Sequence, residues 1–346
     1  MGAADPLTGF AAVAAVRGAV RDFLRAHPDG GGRYVAVSGG ADSLALAEAA
    51  AYVTGGAVTA LVVDHDLQPG SADVAETAAA AARGLGVAEA RVLPVSVSGP
   101  GGPEAAARKA RYRALRGAIP DGATVLLGHT LDDQAETVLL GLGRGSGPRS
   151  IAGMRPFDRP WGRPLLGVPR TVTRAACDEL GIEPWQDPHN VDPRYRRVRV
   201  RTEALPLLDD VLGGGVAGAL ARTAAQLRED VDTLDDLAEQ LLERARATES
   251  GELSVEILEP APPAVRRRAL RSWLLAAGVR ELTDAHLRSV DALVGAWRGQ
   301  GGVWLPGHFE AGRARGKLRV EPGPSDPAEN TENTENADST DSTNRR

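Results

Sequence analysis

The chain has 346 residues, 42% of them hydrophobic and 25% charged, enough for two domains and a sizeable core; a disordered chain, a coiled coil and a collagen are excluded. Its net charge of −6 is concentrated at the end, because residues 321–346 hold seven acids and two arginines and leave the rest near −1. A single cysteine, Cys177, rules out an internal disulfide and a multi-cysteine zinc site, and no apolar run approaches the roughly 20 residues that cross a bilayer.

From the N-terminus, Leu7, Phe10, Val13, Val16, Val20, Phe23 and Leu24 recur at helical spacing over 7–26. Tyr34–Val37 reads as a strand, 42–53 as a helix, Val58–Val63 as a buried strand and 71–85 as a helix. Val92–Val97 follows as a strand, 103–118 as a helix, Thr124–Leu127 as a strand and 131–143 as a helix. This alternation predicts a doubly wound α/β fold, a parallel sheet with helices on both faces. Ligands of such sheets sit at the carboxyl ends of the strands, where the polar clusters 38–43, 64–66 and 128–133 fall. Residues 144–168 read as a long loop, 170–180 as a helix, and 184–201 as irregular and basic. A helical pattern covers 205–247, and 251–263 is a Glu/Pro linker with one short strand. A helix pair is expected at 264–277 and 283–297, then short strands near Val303–Leu305, Phe309 and Leu318–Val320. The polar stretch 322–346 has no apolar period and is expected to be disordered. The domain reading is a nucleotide-binding domain over 1–210, a helical linker over 211–250, a smaller, mostly helical substrate domain over 251–321, and the acidic tail.

The strongest local signal is Ser38-Gly39-Gly40-Ala41-Asp42-Ser43 between a strand and a helix. Glycines let backbone N–H groups approach an anion, and the following helix start adds its dipole and free donors. No Gly-Lys-Ser/Thr is present, so this is not a Walker A loop. Asp42 repels phosphate and makes sense as a magnesium ligand or as a group that shapes the loop; a plain turn capped by Asp42 or Ser43 is the alternative. A second cluster, Gly128-His129-Thr130-Leu131-Asp132-Asp133-Gln134-Ala135-Glu136, opens the helix after the fourth strand. Spacings of three and four put Asp132, Asp133 and Glu136 on one face, where carboxylates can hold Mg²⁺ among phosphate oxygens or simply complement the helix dipole.

Ser38–Ser43 resembles the SGGxDS loop of the PP-loop ATP pyrophosphatases, which cleave ATP between the α and β phosphates. The string 128–154, which contains Arg144, resembles one family within them, the tRNA(Ile)-lysidine synthetases. So do Arg163-Pro164-Leu165-Leu166, the stretch 185–192, Tyr195–Arg201, Leu205–Leu208, Leu305-Pro306-Gly307 and Gly316-Lys317-Leu318. The likeness covers about residues 30–320. Two positions depart from the family pattern: Thr130 follows His129 where a second histidine is usual, and Val198 stands where an asparagine is usual. The further C-terminal domain of longer members is lacking, which suggests a short form.

The resemblance implies ATP-dependent joining of free L-lysine to C2 of the wobble cytidine of a CAU-anticodon tRNA(Ile), with release of AMP and pyrophosphate, in the cytoplasm, with no membrane and no obligate protein partner. It implies catalytic roles for Asp42, Asp133 and an arginine of the stretch 104–112, either Arg108 or Arg111. Asp42 and Asp133 are expected to hold Mg²⁺. Ser38–Ser43, Asp64, His65, Gly128 and His129 are expected to bind ATP, with a structural role open for His65. Glu136, Arg144, Arg197, Arg199 and Arg201 are expected to bind tRNA or substrate; the last three alternate as on an extended chain. Trp161 and Trp185 can stack a flipped base or serve as packing. In the second domain, 263–320 holds eleven Arg/Lys against four acids, and Arg266, Arg267, Arg268 and Arg271 gather near one helix start. Cations there oppose the helix dipole, so a polyanion partner is expected, with Arg267 and Arg271 on tRNA phosphates. The alternatives are a PP-loop tRNA thiolase, poorly served by a lone Cys177, and an inactive RNA-binding scaffold, which the retained Asp42, Asp133 and Glu136 argue against.

Overall fold

The computed structural model describes residues 10–28, 30–65, 70–97, 103–145, 147–186, 192–246 and 251–323. The chain divides into two compact units, Met1–Arg228 and Glu229–Arg346.

In the first unit, β1 (Arg33–Val37), β2 (Thr59–Asp64), β3 (Glu89–Pro94) and β4 (Thr124–Leu126) alternate with α1 (Ala11–Ala26), α2 (Ala41–Thr54), α3 (Ser71–Gly84), α4 (Pro103–Gly117) and α5 (Leu131–Leu142). The long stretch expected to be a loop is partly ordered. It forms the short helix α6 (Pro148–Ile151) and two two-residue strands, β5 (Phe157–Asp158) and β6 (Trp161–Gly162). The sheet order is β3-β2-β1-β4-β6-β5, parallel except for the edge pair β5/β6. Strands of two residues are too short for any periodic signal, which is why the sequence showed only a loop. The edge strand β3 starts three residues before its expected position; half exposed, it has no continuous apolar run, and its register comes from β2, Thr59 opposite Glu89.

Alternate strand residues face opposite layers. Val35, Val37, Ala60 and Val62 join α1, α2, α3 and α7 (Arg170–Leu180) in one core, while Leu61, Val125 and Leu127 join Leu115 and Ile119 beside α4 in another. Helices therefore cover both faces. In α1, Val13, Val16, Val20, Phe23 and Leu24 are buried as the spacing requires, whereas Phe10 lies at the cap, exposed, and Leu7 falls outside the described residues.

The basic stretch expected to be irregular contains α8 (Arg196–Arg199) running into a π-helical turn over Val200–Ala204 and then α9 (Leu205–Leu212). Arginine is as good a helix former as leucine. Its alternation with valine here is a coincidence of composition, and the extended reading of Arg197, Arg199 and Arg201 is corrected. The resembling residues 187–191 lie outside the described residues.

Helix α10 (Val216–Ala245) carries the chain into the second unit. There β7 (Leu253–Ser254), α11 (Val255–Leu258), α12 (Pro263–Ala276), α13 (Asp284–Gly295), β8 (Val303–Leu305), β9 (Phe309–Ala314) and β10 (Lys317–Pro322) follow. The four strands pair antiparallel in the order β7-β10-β9-β8, and Leu253, Leu258, Leu270, Leu274, Leu293 and Leu318 fill the core against the helices. Strand β10 runs to Pro322, one residue into the stretch expected to be disordered; residues 324–346 lie outside the described residues. Among the described residues, no single helix is long and apolar enough to cross a membrane.

Candidate functional site

The chain reverses its winding between β1 and β4, which lie side by side with Tyr34 opposite Val125. A crevice at the carboxyl ends of such a pair is the usual ligand position in an open α/β sheet. Both polar clusters stand there, Ser38–Ser43 after β1 and 128–136 after β4. They touch: a β-carbon on Gly128 would lie 3.0 Å from the Asp42 carbonyl oxygen and 3.2 Å from the Ser43 nitrogen. Gly39 takes φ +81°, a left-handed conformation that glycine adopts without strain.

The loop is held by its own hydroxyls. Ser43 Oγ donates to the Gly40 carbonyl at 2.9 Å and accepts from the Ser38 amide at 3.1 Å. The N-cap of α2 is Gly40, with no side chain bonded to it, so Asp42 and Ser43 are not helix caps. Asp42 turns instead toward α7, where Thr173 Oγ1 donates to one carboxylate oxygen and Arg170 Nε donates to the other at 3.3 Å. Burial raises the Asp42 carboxyl above its ordinary range; Thr173 and Arg170 oppose that rise, and the nearby Asp133 adds to it.

Helix α5 begins with a capping box. The Thr130 amide donates to Asp133 Oδ2 at 2.9 Å, and the Asp133 amide closes back on the Thr130 hydroxyl. The other oxygen, Oδ1, accepts from Arg170 Nη2 at 2.7 Å. Asp133 is thus both cap and ion pair. Burial alone would raise its pKa, but Arg170, the Thr130 amide and His129 together hold it below the usual carboxylate range. Glu136 is fully buried and takes Arg201 Nε at 2.7 Å, Arg170 Nη1 at 3.4 Å and Arg197 Nε at 3.6 Å. Arg197 and Arg201, four apart on the helical stretch, share this partner, while Arg199 points away and pairs with Glu203 at 2.8 Å.

Arg170 was not among the residues singled out in the sequence, and it is the centre of the acidic half. Its guanidinium reaches Asp42, Asp133 and Glu136, and its amide donates to Asp132 Oδ2 at 2.8 Å. Burial works against its charge, yet the four surrounding carboxylates raise its pKa above the ordinary value. One signal was available: a cation at the first position of α7 opposes the helix dipole and calls for a nearby acid.

The other half of the site is cationic and less satisfied. Burial lowers the pKa of His129 to about 3 and that of His65 below its ordinary value, with nearby Arg111 pushing both the same way. Both rings are neutral at pH 7, and each has a buried Nδ1 without a hydrogen-bond partner. Arg163, buried, donates Nη1 to the Arg155 carbonyl and has an unpartnered Nε. Of the two candidate arginines of α4, Arg111 is half-buried and its charge is disfavoured by burial, whereas Arg108 is exposed and lies over the Tyr112 ring. Trp161 makes an edge contact with Tyr112 at 4.7 Å in the core beside α4, a packing role; the Trp185 amide donates to the Gly39 carbonyl. Asp64 ends β2, and Arg144 lies just past α5 and engages in an interaction of its own.

Cys177 is buried, its thiol pushed up to about 11 by burial and the nearby Asp42 and Asp178. It is no thiolate at neutral pH. Among the described residues, no three acid, histidine or cysteine side chains form a self-contained metal centre.

In the second unit the four arginines near the start of α12 do not form one patch. Arg266 is buried, paired with Asp291 at 2.6 Å and bonded to the Glu259 and Ala261 carbonyls. Arg267 lies 3.7 Å from Asp291 and Arg268 3.0 Å from Asp235. The expectation that a polyanion accounts for all four is corrected, because internal carboxylates at 2.6 and 3.0 Å already serve Arg266 and Arg268; Arg267, at 3.7 Å from its acid, and Arg271 are half-buried on the same helix.

A PP-loop domain model matches residues 20–208, and a TilS substrate binding domain model matches residues 253–319. The chain is 60% identical over 317 residues to the tRNA(Ile)-lysidine synthase of Rhodococcus jostii, covering 89% of this chain and 95% of that one. It is 62% identical over 295 residues to that of Mycobacterium tuberculosis, covering 84% and 90%. Among solved structures, the U34-tRNA thiolase of Methanococcus maripaludis superposes with a TM-score of 0.51 at 17% identity, covering 63% of this chain and 80% of that one, a likeness of fold alone.

Proposed function

The chain belongs to the tRNA(Ile)-lysidine synthase family, and from that premise we propose how its residues share the reaction. The protein is an ATP-using, tRNA-modifying enzyme that forms lysidine on tRNA(Ile).

In the finer reading, the wobble cytidine of a CAU anticodon presents its C2 carbonyl oxygen to the α-phosphorus of ATP. That oxygen forms the new P–O bond, and the bond to pyrophosphate breaks. The ε-nitrogen of free lysine then attacks C2, loses its proton, and AMP departs with the former carbonyl oxygen. Adenylation is needed because a carbonyl oxygen is a poor leaving group.

The observation that carries this reading is the close approach of Gly128 to Asp42 and Ser43, which sets the glycine loop and the acidic helix start on one crevice. Ser38–Ser43 holds the leaving pyrophosphate on backbone donors. Asp42 and Asp133 stand on the same guanidinium, at 3.3 and 2.7 Å from Arg170, and their carboxylate oxygens are a donor set that would fit Mg²⁺ together with phosphate oxygens. Magnesium held there supplies charge neutralisation at the phosphates. Arg111, the more buried of the pair on α4, stabilises charge on the α-phosphate, with Arg108 outside it. The unpartnered nitrogens of His65 and His129, beside Asp64 and Gly128, hydrogen-bond the nucleotide. Glu136 fixes Arg197 and Arg201, whose side chains remain 31% and 28% exposed, for substrate contact. Arg144, Arg199, Arg267 and Arg271 contact tRNA phosphates, which position without reading sequence. We assign the reaction to the cytoplasm, consistent with a chain whose one cysteine, Cys177, has no second cysteine to pair with.

The test is incubation with CAU-anticodon tRNA, ATP, Mg²⁺ and labelled lysine. Label should enter RNA with one AMP and one pyrophosphate per event, and Asp133→Asn should abolish incorporation. Stoichiometric ADP, or full activity of a folded Asp133→Asn enzyme, contradicts the reading.

A further inference from the structure

Arg170 does not have the geometry of an ordinary buried ion pair. It gives one nitrogen to each of three carboxylates from two helices: Asp42 at 3.3 Å, Glu136 at 3.4 Å and Asp133 at 2.7 Å. Charge-assisted N–H···O bonds normally lie near 2.7–2.9 Å, and arginine normally favours a two-nitrogen fork on one carboxylate. Two of the three contacts here are long. The guanidinium sits among the acids much as a central ion would.

The oxygens of the metal-holding pair are also fully used. Asp42 gives one oxygen to Arg170 and one to Thr173, a fully buried residue one turn along α7. Asp133 gives Oδ1 to Arg170 and Oδ2 to the Thr130 cap. The local charges nearly cancel, with Asp42, Asp132, Asp133 and Glu136 set against Arg170, Arg197 and Arg201. A hydrated divalent ion gains little from a site whose net charge is −1 and whose oxygens are taken, because Mg²⁺ gives up its water reluctantly. Phosphate oxygens change that balance by supplying both charge and ligands.

We infer that Arg170 is a positioning residue that occupies the cation position between Asp42 and Asp133 in the nucleotide-free enzyme, so that the divalent metal enters only together with ATP. This rests on the reading of Asp42 and Asp133 as the metal-holding pair. Arg170 holds both carboxylates in register across α2 and α5 and keeps the site from filling with metal alone. The first turn of α7 thereby makes metal binding conditional on the substrate.

The experiment measures Mn²⁺ binding by electron paramagnetic resonance of the full chain, first without nucleotide. Arg170→Gln should bind Mn²⁺ at least tenfold more tightly than the unsubstituted protein, and Arg170→Lys, whose single ammonium cannot span three acids, should show a smaller gain. A gain of binding cannot come from unfolding, and if Arg170→Gln does not fold, Arg170→Lys carries the same test. A second series adds an ATP analogue with a methylene between the α and β phosphates. There the unsubstituted protein should bind Mn²⁺, and Asp133→Asn should bind it at least tenfold more weakly. Unchanged nucleotide-free affinity in a folded Arg170 variant, with the Asp133→Asn loss still present, overturns the role of Arg170 and leaves the metal pair standing. Nucleotide-dependent binding that ignores Asp133→Asn overturns the metal pair itself.

Discussion

Arg170 and Arg266 are both buried, at 9% and 6% exposure, and both sit near the start of a helix, one in each unit. Arg266 grips a single carboxylate with Nε at 2.6 Å and Nη2 at 3.2 Å from the two Asp291 oxygens, and spends Nη1 on two backbone carbonyls. Arg266 meets a single acid, and its donors are satisfied: this is a joint between α12 and α13. Arg170 is shared among carboxylates that repel one another and that stand at the sheet's carboxyl edge. Equal burial and equal residue type therefore mark different jobs, and the number of acids per arginine separates them.

Removing each cation should have opposite consequences in the two units. Arg266→Met should destabilise the second unit by about 3 kcal/mol, because Asp291, its side chain 13% exposed, loses its close partner and keeps only Arg267 at 3.7 Å. Urea unfolding followed by fluorescence of the buried Trp273 reads this, and Mg²⁺ should not restore the loss. Arg170→Gln leaves a cluster that an ion can fill, so millimolar Mg²⁺ should raise its thermal midpoint by several degrees. Equal Mg²⁺ responses in the two variants would erase the distinction drawn between joint and site.

A smaller effect separates the arginines around Arg266. Arg267→Ala and Arg271→Ala should each weaken tRNA binding and flatten its log–log salt dependence by about one unit, the signature of a lost phosphate contact. Nucleotide affinity should stay unchanged. An unaltered salt slope in the double variant would make this face, like Arg266, a matter of folding alone.

The cationic half of the site gives a pH effect. The folded ring of His129 resists protonation until about pH 3, whereas an unfolded imidazole takes its proton near 6.5. The unfolded state therefore binds more protons between those values, and stability falls as pH drops below about 6.5. His129→Asn should flatten that limb in denaturant titrations between pH 4.5 and 7; an unchanged slope would acquit the ring. The smallest effect is expected from removing residues 324–346, which hold six acids and two arginines. Their net charge can only repel tRNA, so lysidine formation should change by a few fold at most, and loss of tRNA binding by a folded truncate would contradict this.

Much of the molecule was legible in residue order alone. The β/α alternation, the glycine loop and the acidic helix start are local patterns, and a hydrophobic period or a hexapeptide survives without knowledge of the fold. Asp42, Asp133 and Glu136 were found because they are short-range neighbours of such patterns. The arginines were harder. Arg197, Arg199 and Arg201 alternate with valine in a way that suits a strand, and only the helical backbone shows that Arg197 and Arg201 share Glu136 while Arg199 does not. A cation near a helix start calls for an acid on α7 as on α12: at Arg170 it is the cluster around Asp133, and at Arg266 it is Asp291, inside the protein.

Residue order fixes the class of fold, the phosphate loop and the acidic residues opposite it, because each is written in short local stretches whose chemistry is intrinsic. Which cation each acid holds follows from packing alone. Arg170 lies 128 residues from Asp42 and 37 from Asp133, and Arg266 lies 25 from Asp291. A charge is the same on either side of such a gap, and its partner is fixed by the packing of α7 on α2, by the meeting of the starts of α7 and α5, and by the packing of α12 on α13. Burial then turns those pairings from surface electrostatics, worth little in water, into the arrangement that separates a reactive site from a structural joint.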